Sequence, residues 1–121
     1  MVILKSHGFK YERPEANYVF DVSFLKNPWR DAEIRNEKDI DKRRTMIIDF
    51  MYVQPATLAF VEKISSLIRM LNTFFPHENI VVALCCSAGE YRSPALVDML
   101  GKELKKQGIE HKIMQSKYSK I

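Results

Sequence analysis

An uninterrupted apolar run and the short loop after it constrain the fold of this chain most strongly. The run is Ile80–Cys86, and its seven residues predict a central β-strand covered on both faces. A loop of small residues then leads to Ser93 and Pro94, which suit the N-cap and the first position of a helix. Such a loop binds anions, because its N–H groups and the helix dipole favour negative charge.

The same loop contains the pattern Cys86-x5-Arg92-Ser93, which is typical of cysteine-dependent phosphatases. Five intervening residues let a loop wrap a phosphate, while an arginine binds two of its oxygens. The positive groups of such loops favour a thiolate, which attacks phosphorus. In this interpretation Cys86, Arg92 and Ser93 are catalytic. In the other, no residue is catalytic and the loop only binds an anion, with the set Ser87, Ala88, Gly89, Arg92, Ser93 and Asp21.

Two features weigh against catalysis. Cys85 stands before the reactive position, where phosphatases of the protein tyrosine class carry a histidine. Asp31 and Asp49 are the candidates for a general acid, and neither lies in a recognisable motif. The sequence therefore favours a binding loop, and the phosphatase remains the alternative.

The order of apolar and polar segments predicts strands that alternate with helices. Strands are expected at Val2–Leu4, Tyr18–Val22, Ile80–Cys86 and Ile109–Gln115. The highly charged residues 30–45 are expected to form an exposed loop leading into a short helix, and longer helices are expected at 55–75 and after Ser93, up to Gly108. The fold class is α/β, a single layered domain over residues 1–121 with a mainly parallel sheet of about four strands flanked by helices.

Apolar residues at helical spacing predict the buried helix faces. The expected inner face of the short helix is Ile40, Ile47, Ile48 and Met51. The expected inner face of the long helix is Leu58, Val61, Ile64, Ile68, Leu71 and Phe75.

Asp21 is a polar exception near the end of an apolar strand. Its carboxylate is either satisfied by backbone N–H groups or lines a site. Ligands of parallel sheets bind at the carboxyl ends of the strands, which is where both Asp21 and the loop 86–93 fall.

The basic end of the chain indicates partners that carry phosphate. The net charge is +4, and residues 101–121 contain six lysines against two glutamates. A phosphorylated small molecule is the first expected partner and RNA the second, with Lys112, Lys117 and Lys120 as RNA contacts. The other interpretation of this charge is a solvated helix face and tail.

Several classes of protein are disfavoured. Cys85 and Cys86 are the two cysteines and are adjacent, so no disulfide framework is expected. The first residues lack the pattern of a signal peptide, and no apolar run is long enough to span a membrane, which predicts a cytoplasmic protein. Three scattered histidines and no nucleotide P-loop motif predict neither a metal nor a cofactor.

Several motifs occur in a recognisable order. Residues 6–11, SHGFKY, are similar to S-F-G-F-K-Y, and residues 20–28, FDVSFLKNP, are similar to F-D-V-R-F-L-P-N-P. Residues 33–35 and 41–42 resemble E-L-R and D-K, and the loop 86–93 resembles C-T-G-G-K-H-R-S. Together these motifs resemble the C-terminal domain of the RapZ family of RNase adapter proteins.

The resemblance implies an α/β domain related to a phosphofructokinase subdomain, which binds a sugar phosphate and small regulatory RNA and presents that RNA to an endoribonuclease. The family's N-terminal ATP-binding domain has no counterpart here, so nucleotide binding and hydrolysis are not expected. The family tends to assemble, which leaves a homo-oligomer open, through Phe74 and Phe75 or a sheet edge. Asp21, Ser87, Ala88, Gly89 and Arg92 fall on the family's anion or sugar-phosphate pocket.

Four places depart from the family pattern. Ser23 stands where the family has arginine, and Trp29 where it has histidine. Glu90 and Tyr91 replace lysine and histidine, and residues 115–117 replace H-R-[DT]. The expected function is a small cytoplasmic protein that binds a phosphorylated metabolite or RNA in a regulatory role. The alternatives are a cysteine phosphatase and an interaction module whose loop is only structural.

Overall fold

Four parallel strands form the sheet of this protein. The structure is a computed structural model that describes residues 1–11 and 13–121. The strands are β1 (Val2–Gly8), β2 (Tyr18–Asp21), β3 (Ile80–Cys86) and β4 (His111–Met114). They lie in the order β2-β3-β1-β4, and every neighbouring pair is parallel. The predicted α/β fold is therefore confirmed, with a wholly parallel sheet.

The helices follow β2 and β3. After a 3-10 turn at Pro28–Arg30, the helices are α1 (Ala32–Asn36), α2 (Ile40–Tyr52), α3 (Pro55–Phe74) and α4 (Arg92–Lys106). None of the helices in the described residues combines the length and apolarity needed to cross a bilayer.

One face of the sheet carries most of the core. Burial alternates along β1, because successive side chains of a strand point to opposite faces. Leu4 and Leu84 on that face are fully buried with Leu96 and Leu100 of α4. Each such leucine stabilises the fold by about 1.5–3 kcal/mol. α4 also contacts α3, so the core closes behind the end of β3 and holds its loop in place.

The charged segment is more helical than predicted. Asp31 caps α1 by accepting from the backbone N–H groups of Glu33 and Ile34, and Asp39 caps α2 by accepting from that of Lys42. These local caps satisfy helix-end donors, and for that reason much of this polar segment forms helix. Ile47 and Met51 are buried as expected, Ile48 is half-buried, and Ile40 is wrong as an inner residue because it is 63% exposed in the first turn.

α3 begins and ends as predicted, but the ends of its buried stripe differ. The buried positions run through Thr57, Val61, Ile64, Ile68 and Leu71. Leu58 lies one residue away from this stripe and is half exposed, so a polar residue occupies the core position of the first turn. Phe75, also predicted as an inner residue, is exposed because the chain has already left the helical conformation there.

The start of α4 also differs from the prediction. Helical geometry begins at Arg92, with Tyr91 at the N-cap, so Ser93 lies within the first turn and is fully buried. Gly108 follows the C-cap residue Gln107 with φ of +70°, as expected for a glycine that ends a helix.

Candidate functional site

The loop 86–92 is held against the end of β1 by close backbone contact. The N–H groups of Phe9 and Lys10 donate to the carbonyls of Cys86 and Ser87, both at 2.9 Å. A Cβ on Gly8 would lie 2.5 Å from the Ala88 carbonyl carbon, so no larger residue fits without a shift. The Gly8 of the SHGFKY motif therefore has a structural role in shaping the loop.

Gly89 completes this contact from the other side. Its φ is +67°, in the left-handed region that favours glycine. A Cβ there would lie 2.8 Å from the Gly8 nitrogen and 2.8 Å from Ser116 Oγ. Ser116 belongs to the segment after β4, so loop, first strand and C-terminal segment meet at one point.

Arg92, the first residue of α4, ties two loops together. Its Nη1 donates to the carbonyls of Ser23 at 3.0 Å and Leu25 at 3.2 Å, and its Nη2 donates to Ser87 Oγ at 3.3 Å. A guanidinium has five N–H donors, so these bonds leave donors for a ligand. The side chain is half-buried and fixed before any ligand arrives.

Cys86 and Ser93 form a buried pair beneath the loop. Sγ and Oγ lie 3.2 Å apart, and the Ser93 N–H donates to Sγ at 3.5 Å. Ser93 Oγ also donates to the His7 carbonyl at 3.2 Å. A hydroxyl has one proton, so while it serves His7 the thiol must be the donor to Oγ. The pair joins the end of β3 to the first turn of α4.

The N–H groups of residues 87–91 make no hydrogen bond to any acceptor among the described residues. Four of these residues, Ser87, Ala88, Glu90 and Tyr91, line a small cavity of about 80 Å³, which Arg92, Cys86 and Trp29 also line. Backbone N–H groups without an acceptor, beside a guanidinium, are groups with which proteins bind anions. Of the predicted anion-binding set, Ser87, Ala88 and Arg92 line this cavity, whereas Gly89, Ser93 and Asp21 do not.

Trp29 and Tyr91 form one wall of this cavity, and sequence reasoning did not predict it. Their ring centroids are 5.3 Å apart with planes inclined by 7°, and the Arg43 guanidinium lies 5.7 Å from the Trp29 ring. Burial, and then the neighbouring Glu90 carboxylate, raise the pKa of Tyr91. The departures at 29 and 91 were visible in the sequence, but nothing there showed that the two rings meet.

Asp21 lies at the end of β2, beside the loop but outside the lining of the cavity. Its Oδ1 accepts from the Ser23 N–H at 2.8 Å. Hydrogen bonds from Ser23, first from its side chain and then from its backbone, lower the pKa of Asp21, and the Arg92 charge adds to this effect. The carboxylate is thus ionised and held by Ser23.

The predicted RNA contacts are separated in space. Lys112 lies on the edge strand β4, while Lys117 and Lys120 follow it, and all three are exposed. The C-terminal segment folds back, because the Lys120 N–H donates to the Glu90 carbonyl at 2.9 Å and that of Ser116 to Ser6 Oγ at 2.7 Å. Lys117 and Lys120 therefore lie beside the loop 86–92, whereas Lys112 does not.

The described residues contain no group of three or more His, Cys, Asp or Glu side chains placed to share a metal ion.

Comparison with known proteins places the chain in a family. The model of the RapZ C-terminal domain matches residues 1–119. A nucleotide-binding protein of Listeria innocua is 34% identical over 110 residues, which are 88% of this chain and 37% of the relative. One of Carboxydothermus hydrogenoformans is 34% identical over 107 residues, 85% of this chain and 36% of the relative.

A third relative, a nucleotide-binding protein of Laribacter hongkongensis, is 32% identical over 112 residues, which are 89% of this chain and 39% of the relative. The chain thus spans well under half the length of these relatives. This chain belongs to the RapZ C-terminal domain family.

Proposed function

We propose that this protein binds a phosphorylated small molecule, of the sugar phosphate class, in the loop 86–93 and acts as a cytoplasmic regulatory protein. The observation that supports this best is the set of loop N–H groups, at residues 87–91, that lack an acceptor in the described structure beside the fixed Arg92 guanidinium. Backbone donors and an arginine together hold phosphate with charge-assisted hydrogen bonds.

Each predicted site residue has a distinct role in this proposal. Ser87 and Ala88 offer N–H groups to the phosphate, and Gly89 allows the backbone to turn. Ser93 supports the loop through Cys86 rather than touching the ligand. Asp21 is an ionised acceptor, so it suits a sugar hydroxyl and not the phosphate.

Calorimetric titration with glucose 6-phosphate and with inorganic phosphate tests the loop. Arg92→Ala should weaken binding by at least about tenfold, since each charge-assisted contact contributes about 1.5–3 kcal/mol. Arg69→Ala, an exposed arginine on α3, is the matched control and should bind as the wild type does. Because Arg92 also ties two loops together, Arg92→Lys separates charge from geometry. Unchanged binding in Arg92→Ala would overturn the proposal.

We extend the proposal to RNA, bound at the basic end by Lys112, Lys117 and Lys120. Single-stranded RNA bound through phosphate contacts loses affinity with salt, with a slope of about −0.7 per contact. Replacing the three lysines by alanine should reduce the slope by about 2. A control with Lys26, Lys38 and Lys63 replaced, all exposed and elsewhere, should keep the wild-type slope. Equal slopes for the two triple variants would exclude these contacts.

A cysteine phosphatase is a second candidate, and one observation favours it. The Ser93 N–H donates to Cys86 Sγ at 3.5 Å, and the Ser93 hydroxyl, 3.2 Å from the same sulfur, would become a second donor if it turned away from the His7 carbonyl. No carboxylate other than that of Glu90 lines the cavity among the described residues.

Self-association through the exposed Phe74 and Phe75 stays a prediction.

A further inference from the structure

A second and larger pocket lies at the carboxyl ends of β1 and β4, and we call it the tyrosine pocket. Its volume is about 610 Å³, and its walls come from residues 5–8, 10–11 and 114–118. It shares no lining residue with the cavity of the loop 86–92. It is therefore separate from the loop 86–92, where we place the sugar phosphate and where the phosphatase pattern lies.

The tyrosine pocket is positively charged. Lys5, Lys10 and Lys117 line it, and no aspartate or glutamate does so among the described residues. Lys5 Nζ donates to the Glu15 carbonyl at 3.0 Å, which places the ammonium group without neutralising it. None of the three lysines forms a salt bridge with a described carboxylate. Uncompensated ammonium groups around a pocket favour an anionic ligand.

Two stacked rings form the aromatic part of the wall. Tyr11 and Tyr118 have centroids 3.9 Å apart and planes inclined by 15°, and Lys117 Nζ lies 5.3 Å from the Tyr118 ring. Tyr118 covers one face of Tyr11, whose side chain is still 44% exposed. No second described ring packs on Tyr11, and its partial exposure leaves area for a flat partner to contact.

The stacked rings of Tyr11 and Tyr118 form an aromatic platform, and the segment that carries Tyr118 is anchored before a ligand binds. The Tyr118 N–H donates to Ser116 Oγ at 3.1 Å, and the Ser116 N–H donates to Ser6 Oγ at 2.7 Å. These bonds anchor the segment after β4 to β1, which is a core strand. Stacking on a ring that is already ordered costs little conformational entropy.

A basic groove continues from the pocket. The neighbouring cleft, about 520 Å³, lies between α2 and the C-terminal segment and shares Lys117 and Tyr118 with the pocket. It adds Arg43, Arg44 and Lys120, with Glu90 as its one acidic side chain among the described residues and Arg44 paired to Asp41 at 3.7 Å. A path of positive charge beside an aromatic platform is the arrangement that binds single-stranded nucleic acid.

We propose that the tyrosine pocket binds one unpaired nucleotide, with the base stacked on the open face of Tyr11 and the phosphate held by Lys10 and Lys117. A free mononucleotide and an unpaired residue of an RNA strand share this chemistry. The basic groove favours the strand. The inference deepens the RNA-binding part of the proposed function, on which it rests, and it is independent of the ligand of loop 86–93.

Fluorescence anisotropy measures the affinity of the protein for a labelled RNA hexamer of adenosine. AMP and ribose 5-phosphate serve as competitors. Tyr11→Leu should weaken hexamer binding by about tenfold or more, since one base stack on an aromatic ring accounts for that much. Tyr11→Phe keeps the ring, and its affinity for the hexamer should stay near that of the wild type.

The double variant Lys10→Ala, Lys117→Ala tests the phosphate contacts and should reduce the salt slope by about 1.4. Phe74→Leu and Lys63→Ala are exposed controls on α3.

The competitors identify the source of the nucleotide. Hexamer binding at least about tenfold tighter than AMP indicates a strand, and equal affinity indicates a free nucleotide, either of which supports the site. Ribose 5-phosphate that competes as well as AMP would overturn it, because no base would then be bound.

Other outcomes separate the two proposals. Hexamer binding that survives Tyr11→Leu but falls in the Lys112, Lys117, Lys120 triple variant rejects the tyrosine pocket and keeps the RNA proposal. If the wild-type chain does not bind the hexamer, both the tyrosine pocket and the RNA proposal are rejected. The proposal for the loop 86–93 is then still tested by glucose 6-phosphate binding. Thermal melting shows whether Tyr11→Leu is folded. If it is not folded, the double variant Lys10→Ala, Lys117→Ala provides the test, and a salt slope equal to that of the wild type would reject the tyrosine pocket.

Discussion

The rings of Trp29 and Tyr91 lie stacked, 5.3 Å apart with planes inclined by 7°. This contact joins the 3-10 turn after β2 to the loop after β3. Both positions depart from the family pattern, in which histidines are expected. The stacked rings give the cavity a flat aromatic side. A ligand with an apolar face toward this wall fits better than one with a further acidic group.

Trp29→Ala should destabilise the protein and loosen the loop. An aromatic pair contributes about 0.5–1.5 kcal/mol beyond the area it buries, so we expect a total loss of roughly 2 kcal/mol in the free energy of unfolding. Urea denaturation measures this loss. Phe74→Ala, at a ring that is 71% exposed, should change stability by less than about 0.5 kcal/mol. Equal effects for the two variants would show that the stack contributes nothing.

Gly89→Ala should be far more damaging than Gly108→Ala. Both glycines have positive φ, +67° and +70°, so alanine is strained by about 1–2 kcal/mol at either position. A Cβ at Gly89 would also press on the Gly8 nitrogen, whereas at Gly108 it meets open space. We expect Gly89→Ala to lose phosphate binding as well, measured by calorimetry. If the two variants were equally stable, the close approach to Gly8 would be unimportant.

Stability should fall as the pH rises from about 9 to about 11, partly because of Cys85. Burial, followed by the proximity of Cys86 and Asp21, raises the pKa of this fully buried thiol from 9.0 to about 11. Above pH 9 the unfolded chain releases the proton first, so unfolding becomes easier by up to about 1.4 kcal/mol per pH unit. Below pH 9 this contribution is fully present.

Cys85→Ala removes that slope and serves as the comparison in urea denaturation at pH 7 and pH 10. It should be less stable than wild type at pH 7, by about 1 kcal/mol for the lost sulfur, and should lose less on going to pH 10. Tyr91, whose pKa is also raised, still contributes in both proteins. Parallel losses in the two proteins would assign the alkaline effect elsewhere.

Cys86→Ser decides between binding and catalysis. The proposed binding protein should not turn over p-nitrophenyl phosphate, and the variant should bind inorganic phosphate within about threefold of wild type, because the N–H groups at 87–91 and Arg92 are unchanged. Turnover that disappears in Cys86→Ser would establish the phosphatase instead. Ser87→Ala is a useful control, since it alters the hydroxyl that Arg92 contacts but leaves the thiol.

Much of the fold was predictable because its signals are local. The apolar run at Ile80–Cys86 and the breaker Pro55 mark their elements correctly, since burial and backbone chemistry act over a few residues. The helix α1 and the first turns of α2 were not predicted, because the eleven charged residues of 30–45 obscured the aspartate cap of each helix. Ser93 was assigned to the N-cap by residue preference, but in the fold its hydroxyl serves Cys86 and the His7 carbonyl instead.

The sequence by itself determined the α/β class and the strand, loop and helix that carry Cys86 and Arg92, because these depend on residue type and spacing along one stretch of chain. The tertiary structure alone decided what surrounds them. It brought Trp29 onto Tyr91 and Gly8 against Gly89, and it folded Tyr118 back onto Tyr11. These partners are 62, 81 and 107 residues apart, and only the packing of the sheet and the return of the chain end can bring such distant residues together.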